Sequence, residues 1–153
     1  MSASTAERNP RAGGTLIATT TTRTISVTRI ILVVDDEPDL VATCERLLQR
    51  AGHASLRAYT GYEAMALIDR ERPDLVVVDL RLPGLDGLAV TRYARRRVPP
   101  IPVILITGYD SPHARQAASE SGVAVYLAKP FSNAAFVAAI ERVLPSHVGE
   151  GGT

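Results

Sequence analysis

Four short apolar runs in this chain each lead into residues that could do chemistry. Ile30 to Val34 runs into Asp35-Asp36-Glu37, Leu75 to Val78 into Asp79, Val103 to Ile106 into Thr107, and Val123 to Leu127 into Lys129-Pro130. If the runs are parallel strands, their carboxyl ends open onto one crevice, and these side chains meet there. Two carboxylates ~4 Å apart repel by about 4 kcal/mol at an effective dielectric near 20, so Asp35, Asp36 and Asp79 together call for a cation. Lys129 brings one positive charge. The remaining negative charge suits a hard divalent ion with oxygen ligands and several waters, hence Mg²⁺. Such an ion beside a carboxylate, a lysine and a threonine hydroxyl makes a phosphoryl-transfer constellation. Asp79, alone at its strand end, is the natural nucleophile, and an aspartyl phosphate the natural product.

The elements that must position these groups are readable from periodicity and punctuation. Ile30 to Val34 is a continuous apolar run, as a strand buried on both faces requires. Pro38 suits a first helical turn, and Leu40, Val41, Cys44, Leu47 and Leu48 recur at helical spacing until Gly52. His53 to Ala58 reads as a weak edge strand, and Tyr62 to Arg70 as a second helix that stops before Pro73. After Leu75 to Val78, Pro83-Gly84 and Asp86-Gly87 punctuate a loop, and Leu88 to Arg97 reads as a third helix. Val103 to Ile106, a short helix from Ala114 to Ser121, the strand Val123 to Leu127 and a last helix from Asn133 to Leu144 complete the alternation. The pattern predicts an α/β fold: a doubly wound, five-stranded parallel sheet with five helices.

Composition bounds the rest. A chain of 153 residues that is 46% hydrophobic can bury one solid core. The sequence predicts a disordered extension over 1–28, one domain over 29–145 and a disordered tail over 146–153. Thr24 to Thr28 alternates well enough to offer an alternative, a lengthened first strand. A net charge of +1 argues against a dedicated polyanion binder, and Arg92, Arg95, Arg96 and Arg97 read as a solvated helix face without direct nucleic-acid contact. Cys44 has no partner for a disulfide, Cys44 and Met65 fit as core filler, and His53, His113 and His147 lack metal-site spacing. No apolar stretch is long enough for a membrane span, and the expectation is a cytoplasmic protein.

Val33-Val34-Asp35-Asp36-Glu37-Pro38, Val78-Asp79-Leu80-Arg81-Leu82-Pro83-Gly84-Leu85-Asp86-Gly87, Ile106-Thr107-Gly108 and Tyr126-Leu127-Ala128-Lys129-Pro130-Phe131 resemble the receiver domain of two-component response regulators. The resemblance covers about residues 29 to 144. It implies a flavodoxin-like sheet of strand order 2-1-3-4-5 and transfer of a phosphoryl group from a sensor histidine kinase to Asp79. It implies that Asp36 binds Mg²⁺ directly, Asp35 mostly through water, and that Asp79 and the Arg81 main-chain carbonyl complete the protein ligands. Thr107, Gly108 and Lys129 would receive the phosphoryl group, with Lys129-Pro130 in the cis form. Thr107 and Tyr126 would form the switch to the face of the fourth helix, fifth strand and fifth helix. That face would bind a downstream target or a histidine phosphotransfer protein, or pair two copies as a phosphorylation-dependent homodimer. Arg81 and Tyr109 occupy positions that tune dephosphorylation in relatives. The resemblance also implies no enzymatic activity beyond the protein's own phosphorylation and dephosphorylation.

Other readings fit less well. A haloacid-dehalogenase-type phosphatase wants a second Asp two positions after its nucleophile, where this chain has Arg81 after Asp79 and Glu37 after Asp35. A flavin carrier wants a phosphate loop after the first strand, where Asp35-Asp36-Glu37 would repel phosphate. A phosphorylation-independent adaptor, or a receiver cut from a longer regulator or hybrid kinase, stand as alternatives, the first disfavoured by the full set of site residues.

Overall fold

The computed structural model describes residues 24–145 and 147–149. In chain order its strands are β1 (Thr24–Ser26), β2 (Ile30–Val34), β3 (Ala54–Ala58), β4 (Leu75–Asp79), β5 (Val103–Thr107), β6 (Val125–Ala128) and β7 (His147–Gly149). The helices are α1 (Pro38–Arg50), α2 (Gly61–Glu71), α3 (Gly87–Arg95), α4 (Pro112–Glu120) and α5 (Asn133–Val143).

Within residues 28–146 the strands form one parallel sheet in the order β3-β2-β4-β5-β6. Counting its own strands only, that is 2-1-3-4-5, the flavodoxin-like order implied by the sequence. Successive side chains on a strand face opposite ways, so a doubly covered sheet divides its apolar residues between two cores. Ile31, Val33, Leu75, Val77, Ile104 and Ile106 pack against Val41, Cys44, Leu48, Phe136 and Ile140 of α1 and α5. Leu32, Val34, Val76, Val78, Val103 and Leu105 face Ala64, Ile68, Val90, Ala94 and Ala118 of α2, α3 and α4. Cys44 is core, as expected, whereas Met65 is half-buried and lies outside both cores.

Four helices start on a side-chain cap that accepts a backbone N–H: Thr60 for α2, Asp86 for α3, Ser111 for α4 and Ser132 for α5. The first, α1, starts after Glu37, whose side chain makes no cap. Its carboxylate is committed elsewhere, to Lys129.

Several boundaries differ from the sequence reading. The last sheet strand begins at Val125 because the Val123 N–H closes the α4 turn onto the Ala118 carbonyl. The fourth helix begins two residues early, where Pro112 takes the first position behind the Ser111 cap. Residues 24–26 and 147–149, expected in disordered tails, pair as an antiparallel ribbon in the register Thr24 to Gly149, Ile25 to Val148 and Ser26 to His147. Threonine, isoleucine and valine suit a pleated pair, yet β1 is a separate strand and does not lengthen β2. The rest of the expected tails, 1–23, 146 and 150–153, lies outside the described residues.

Candidate functional site

Parallel pairing sets the predicted groups side by side. Asp35 directly follows β2 and donates its backbone N–H to Ala58, while Asp79 ends β4 opposite Ile106 in register. The Lys129 N–H donates to the Thr107 carbonyl at 2.7 Å, tying the ends of β5 and β6 together. The α3 helix starts hard against the end of β4: a Cβ on Gly87 would lie 2.2 Å from the Asp79 carbonyl oxygen. Only glycine allows that approach.

The Lys129 ammonium lies at the centre of the cluster. It donates to Asp35 Oδ2 at 2.9 Å, Asp79 Oδ2 at 2.8 Å and Glu37 Oε1 at 3.0 Å. Asp35 and Asp79 are buried, and each turns its second oxygen to a backbone N–H, that of Glu37 for Asp35 and that of Arg81 for Asp79. Burial pushes Asp35 up to about 6, against the hydrogen bond from Lys129 that pulls it down. Burial also works to lower Lys129, but the hydrogen bonds to Asp79, Asp35 and Glu37 outweigh it and raise the ammonium above the usual lysine value. One cation facing four carboxylates, Asp36 included, leaves the site short of positive charge.

The donor set fits Mg²⁺. Asp35, Asp36 and Asp79 place one carboxylate oxygen each within 4.8 Å of the others, and Asp36 stays exposed on the rim. All are hard oxygen donors on an open edge that leaves room for water ligands. Asp36, Glu37, Asp79, Arg81, Gly108, Tyr109 and Lys129 line a cavity of about 480 Å³ beside them. A Cβ on Gly108 would meet nothing within 4 Å, so the approach over that position is open.

Thr107 and Tyr126 are placed apart from each other's polar groups. The buried Thr107 hydroxyl accepts the Tyr109 N–H at 2.9 Å. Half-buried Tyr126 instead donates its hydroxyl to Asp110 Oδ1 at 3.1 Å, and Arg115 lies 4.7 Å from its ring centroid. Arg115 also grips both Asp110 oxygens at 2.9 Å and thereby holds that carboxyl below its usual range. This three-residue clasp was not foreseen, since neither Asp110 nor Arg115 carries a sequence signal of its own. Two further contacts also escaped the sequence: Glu37 on Lys129, and the Arg81 guanidinium 4.0 Å above the Tyr109 ring. Burial raises the Cys44 thiol to about 12, so it offers no thiolate nucleophile. The Lys129-Pro130 bond is cis, as the resemblance implied, and so is Val98-Pro99.

The sequence profile described as the response regulator receiver domain matches residues 31–141. The chain belongs to that family. The receiver is 36% identical over 121 residues to the DNA-binding transcriptional regulator NtrC of Salmonella typhimurium, a match covering 79% of this chain and 26% of that protein. It thus spans about a quarter of that relative's length. Among solved structures it resembles the chemotaxis response regulator CheY4 of Vibrio cholerae, with a TM-score of 0.72, 27% identity, and 77% of this chain and 100% of that one covered. The non-phosphorylated HemR receiver domain of Leptospira biflexa superposes with a TM-score of 0.70 and 30% identity, over 75% of this chain and 93% of that one. The strand order and helices are those of CheY-like receivers, and the receiver is a phosphoryl-accepting module of two-component signalling.

Proposed function

We propose that Asp79 is the phosphoryl acceptor, with Lys129 as its counter-charge and Asp35, Asp36, Asp79 and the Arg81 carbonyl as the ligands of Mg²⁺. The observation that carries this reading is the single ammonium shared by Asp35 and Asp79 at the strand ends, with Asp36 within reach of both. Bound Mg²⁺ would neutralise phosphoryl oxygens. An Asp79 oxygen attacks phosphorus in line, and the bond from phosphorus to the donor breaks with its electron pair leaving on the donor. Lys129 lies 2.8 Å from Asp79, close to where the arriving charge would sit. Thr107, at the adjacent strand end, turns its hydroxyl from the Tyr109 N–H to the phosphoryl group, and Tyr126 leaves Asp110 for the inside, which alters the face of α4, β6 and α5.

The donor in this reading is a sensor histidine kinase. Beside the acid pair runs an open groove of about 830 Å³ that includes Pro38, Leu40, Pro130 and Phe131, an apolar bed for a docking helix next to Lys129. The switched face binds a downstream protein or a histidine phosphotransfer protein, or pairs two receivers. No helix among the described residues is long and apolar enough to cross a membrane, and a cytoplasmic site of action fits this chemistry.

Acetyl phosphate with Mg²⁺ tests the reading, with intact-mass spectrometry as the readout. The wild type gains one phosphoryl group and Asp79→Asn gains none. Equal labelling of the two proteins would remove Asp79 as acceptor.

A further inference from the structure

A lysine ammonium has three protons to donate, and in this structure Lys129 has committed all three, to Asp35, Asp79 and Glu37. None is left for an incoming phosphoryl oxygen. The three acceptors are not equally able to let go. The Asp35 side chain is fully buried and that of Asp79 is 8% exposed, so losing the lysine would strand a buried carboxylate in either case. The Glu37 side chain is 63% exposed, and water can replace the lysine at its oxygen. During transfer Asp79 is still an anion held by Lys129, so the proton that meets the donor's phosphoryl oxygens has to come from the Glu37 contact.

We propose that Glu37 is a positioning residue for Lys129, holding the third ammonium proton in the resting receiver and yielding it to the phosphoryl group. This rests on the reading that Asp79 accepts that group. The local backbone supports the assignment. Glu37 precedes α1 yet leaves the helix uncapped by its side chain, and its own N–H is fixed by Asp35 at 2.9 Å, which aims the carboxylate at Lys129. With acetyl phosphate the balance is simple: the Asp79 oxygen bonds to phosphorus, the bond from phosphorus to the acetate oxygen breaks, and acetate leaves with the electron pair. Glu37 gains and loses no proton. It exchanges one hydrogen-bond donor, Lys129, for water.

The test compares wild type, Glu37→Gln and Asp39→Asn in acetyl phosphate labelling at saturating Mg²⁺. Asp39, in the first turn of α1, is an exposed carboxylate outside the Lys129 cluster, so it controls for the loss of one negative charge near the site. Glu37→Gln should label about two- to fivefold faster than wild type, the scale set by an exposed ion pair, and Asp39→Asn should fall well short of that. A second readout is the side-chain carboxyl ¹³C resonance of Glu37 in the wild type, which should move to a solvated position when beryllofluoride and Mg²⁺ are added. Equal rates in Glu37→Gln and Asp39→Asn, or a Glu37 resonance unmoved by the analogue, would overturn the proposal while leaving Asp79 as acceptor. A wild type that takes no phosphoryl group would instead overturn the reading beneath it, and the proposal with it.

Discussion

At the scale of single residues, burial sorts four carboxylates that the sequence shows as one acidic group. Asp35 and Asp79 are inside, Asp36 and Glu37 outside, and only the inner pair needs a permanent counter-charge. Asp35 states the consequence most sharply, because its folded value of about 6 lies above the ordinary 3.8. The folded protein therefore holds that proton more tightly than the unfolded chain does. The stability this confers is full below the unfolded value and is lost as pH rises through about 6, amounting to at most about 3 kcal/mol at roughly 1.4 kcal/mol per pKa unit. The raised Lys129 value acts with the same sign in a distant window: its contribution is complete throughout this acid range and declines only above the usual lysine value. Urea unfolding of the metal-free protein should thus show wild type losing ground to Asp35→Asn between pH 4 and 6. Saturating Mg²⁺ should reduce that loss, since an ion at the proposed site would favour the ionised carboxylate. A stability difference between the two proteins that is flat across the interval in chelator would contradict the buried-carboxylate account.

At the scale of elements, the start of α3 is the tightest joint of the site. Gly87 meets the Asp79 carbonyl and the Leu80 Cα, at 2.2 and 2.8 Å from an added Cβ, and neither backbone atom can yield without moving Asp79. Gly87→Ala should destabilise by about 1 to 3 kcal/mol in denaturant titration and slow phosphoryl labelling, whereas Gly108→Ala, facing open space, should stay within about 0.5 kcal/mol. Matching unfolding midpoints for Gly87→Ala and wild type would refute the close approach. These elements were largely readable in the sequence because the central strands are unbroken apolar runs, and buried runs bounded by proline, glycine and acid leave few alternatives. The sheet order came from the family resemblance alone, while the strand ends brought Asp35, Asp36, Asp79 and Lys129 to one place. What stayed hidden depends on side-chain direction. The Glu37 reach to Lys129, the Asp110 grip on Tyr126 and the Arg81 stack on Tyr109 join residues whose spacing follows no helical or strand period. Edges of elements were hidden for a related reason: Val123 looks like strand by type, but its N–H closes a helix.

At the scale of the whole molecule, secondary structure decides where many charges fall. Within residues 28–146 Asp35, Asp36, Glu37 and Asp79 lie at the carboxyl ends of β2 and β4, while Arg50, Arg70, Arg92, Arg95 and Arg142 sit in the last turns of α1, α2, α3 and α5. In a doubly wound sheet the helices run back against the strands, so their carboxyl-terminal dipoles, and the arginines that complement them, lie away from the site. Those five arginines are thereby placed by helix ends. The same unit carries both apolar cores and every site residue, whereas β1 and β7 contribute only three residues each to a ribbon of their own. A two-stranded ribbon of that length is marginal in water by itself. A protein restricted to residues 28–146 should therefore keep the helical circular dichroism and cooperative unfolding of the full chain, and accept the phosphoryl group from acetyl phosphate at the same rate. Loss of cooperative unfolding in that shortened protein would mean that the terminal pairing is part of the fold. Unchanged unfolding with slower labelling would mean that the terminal segments contribute to the chemistry instead.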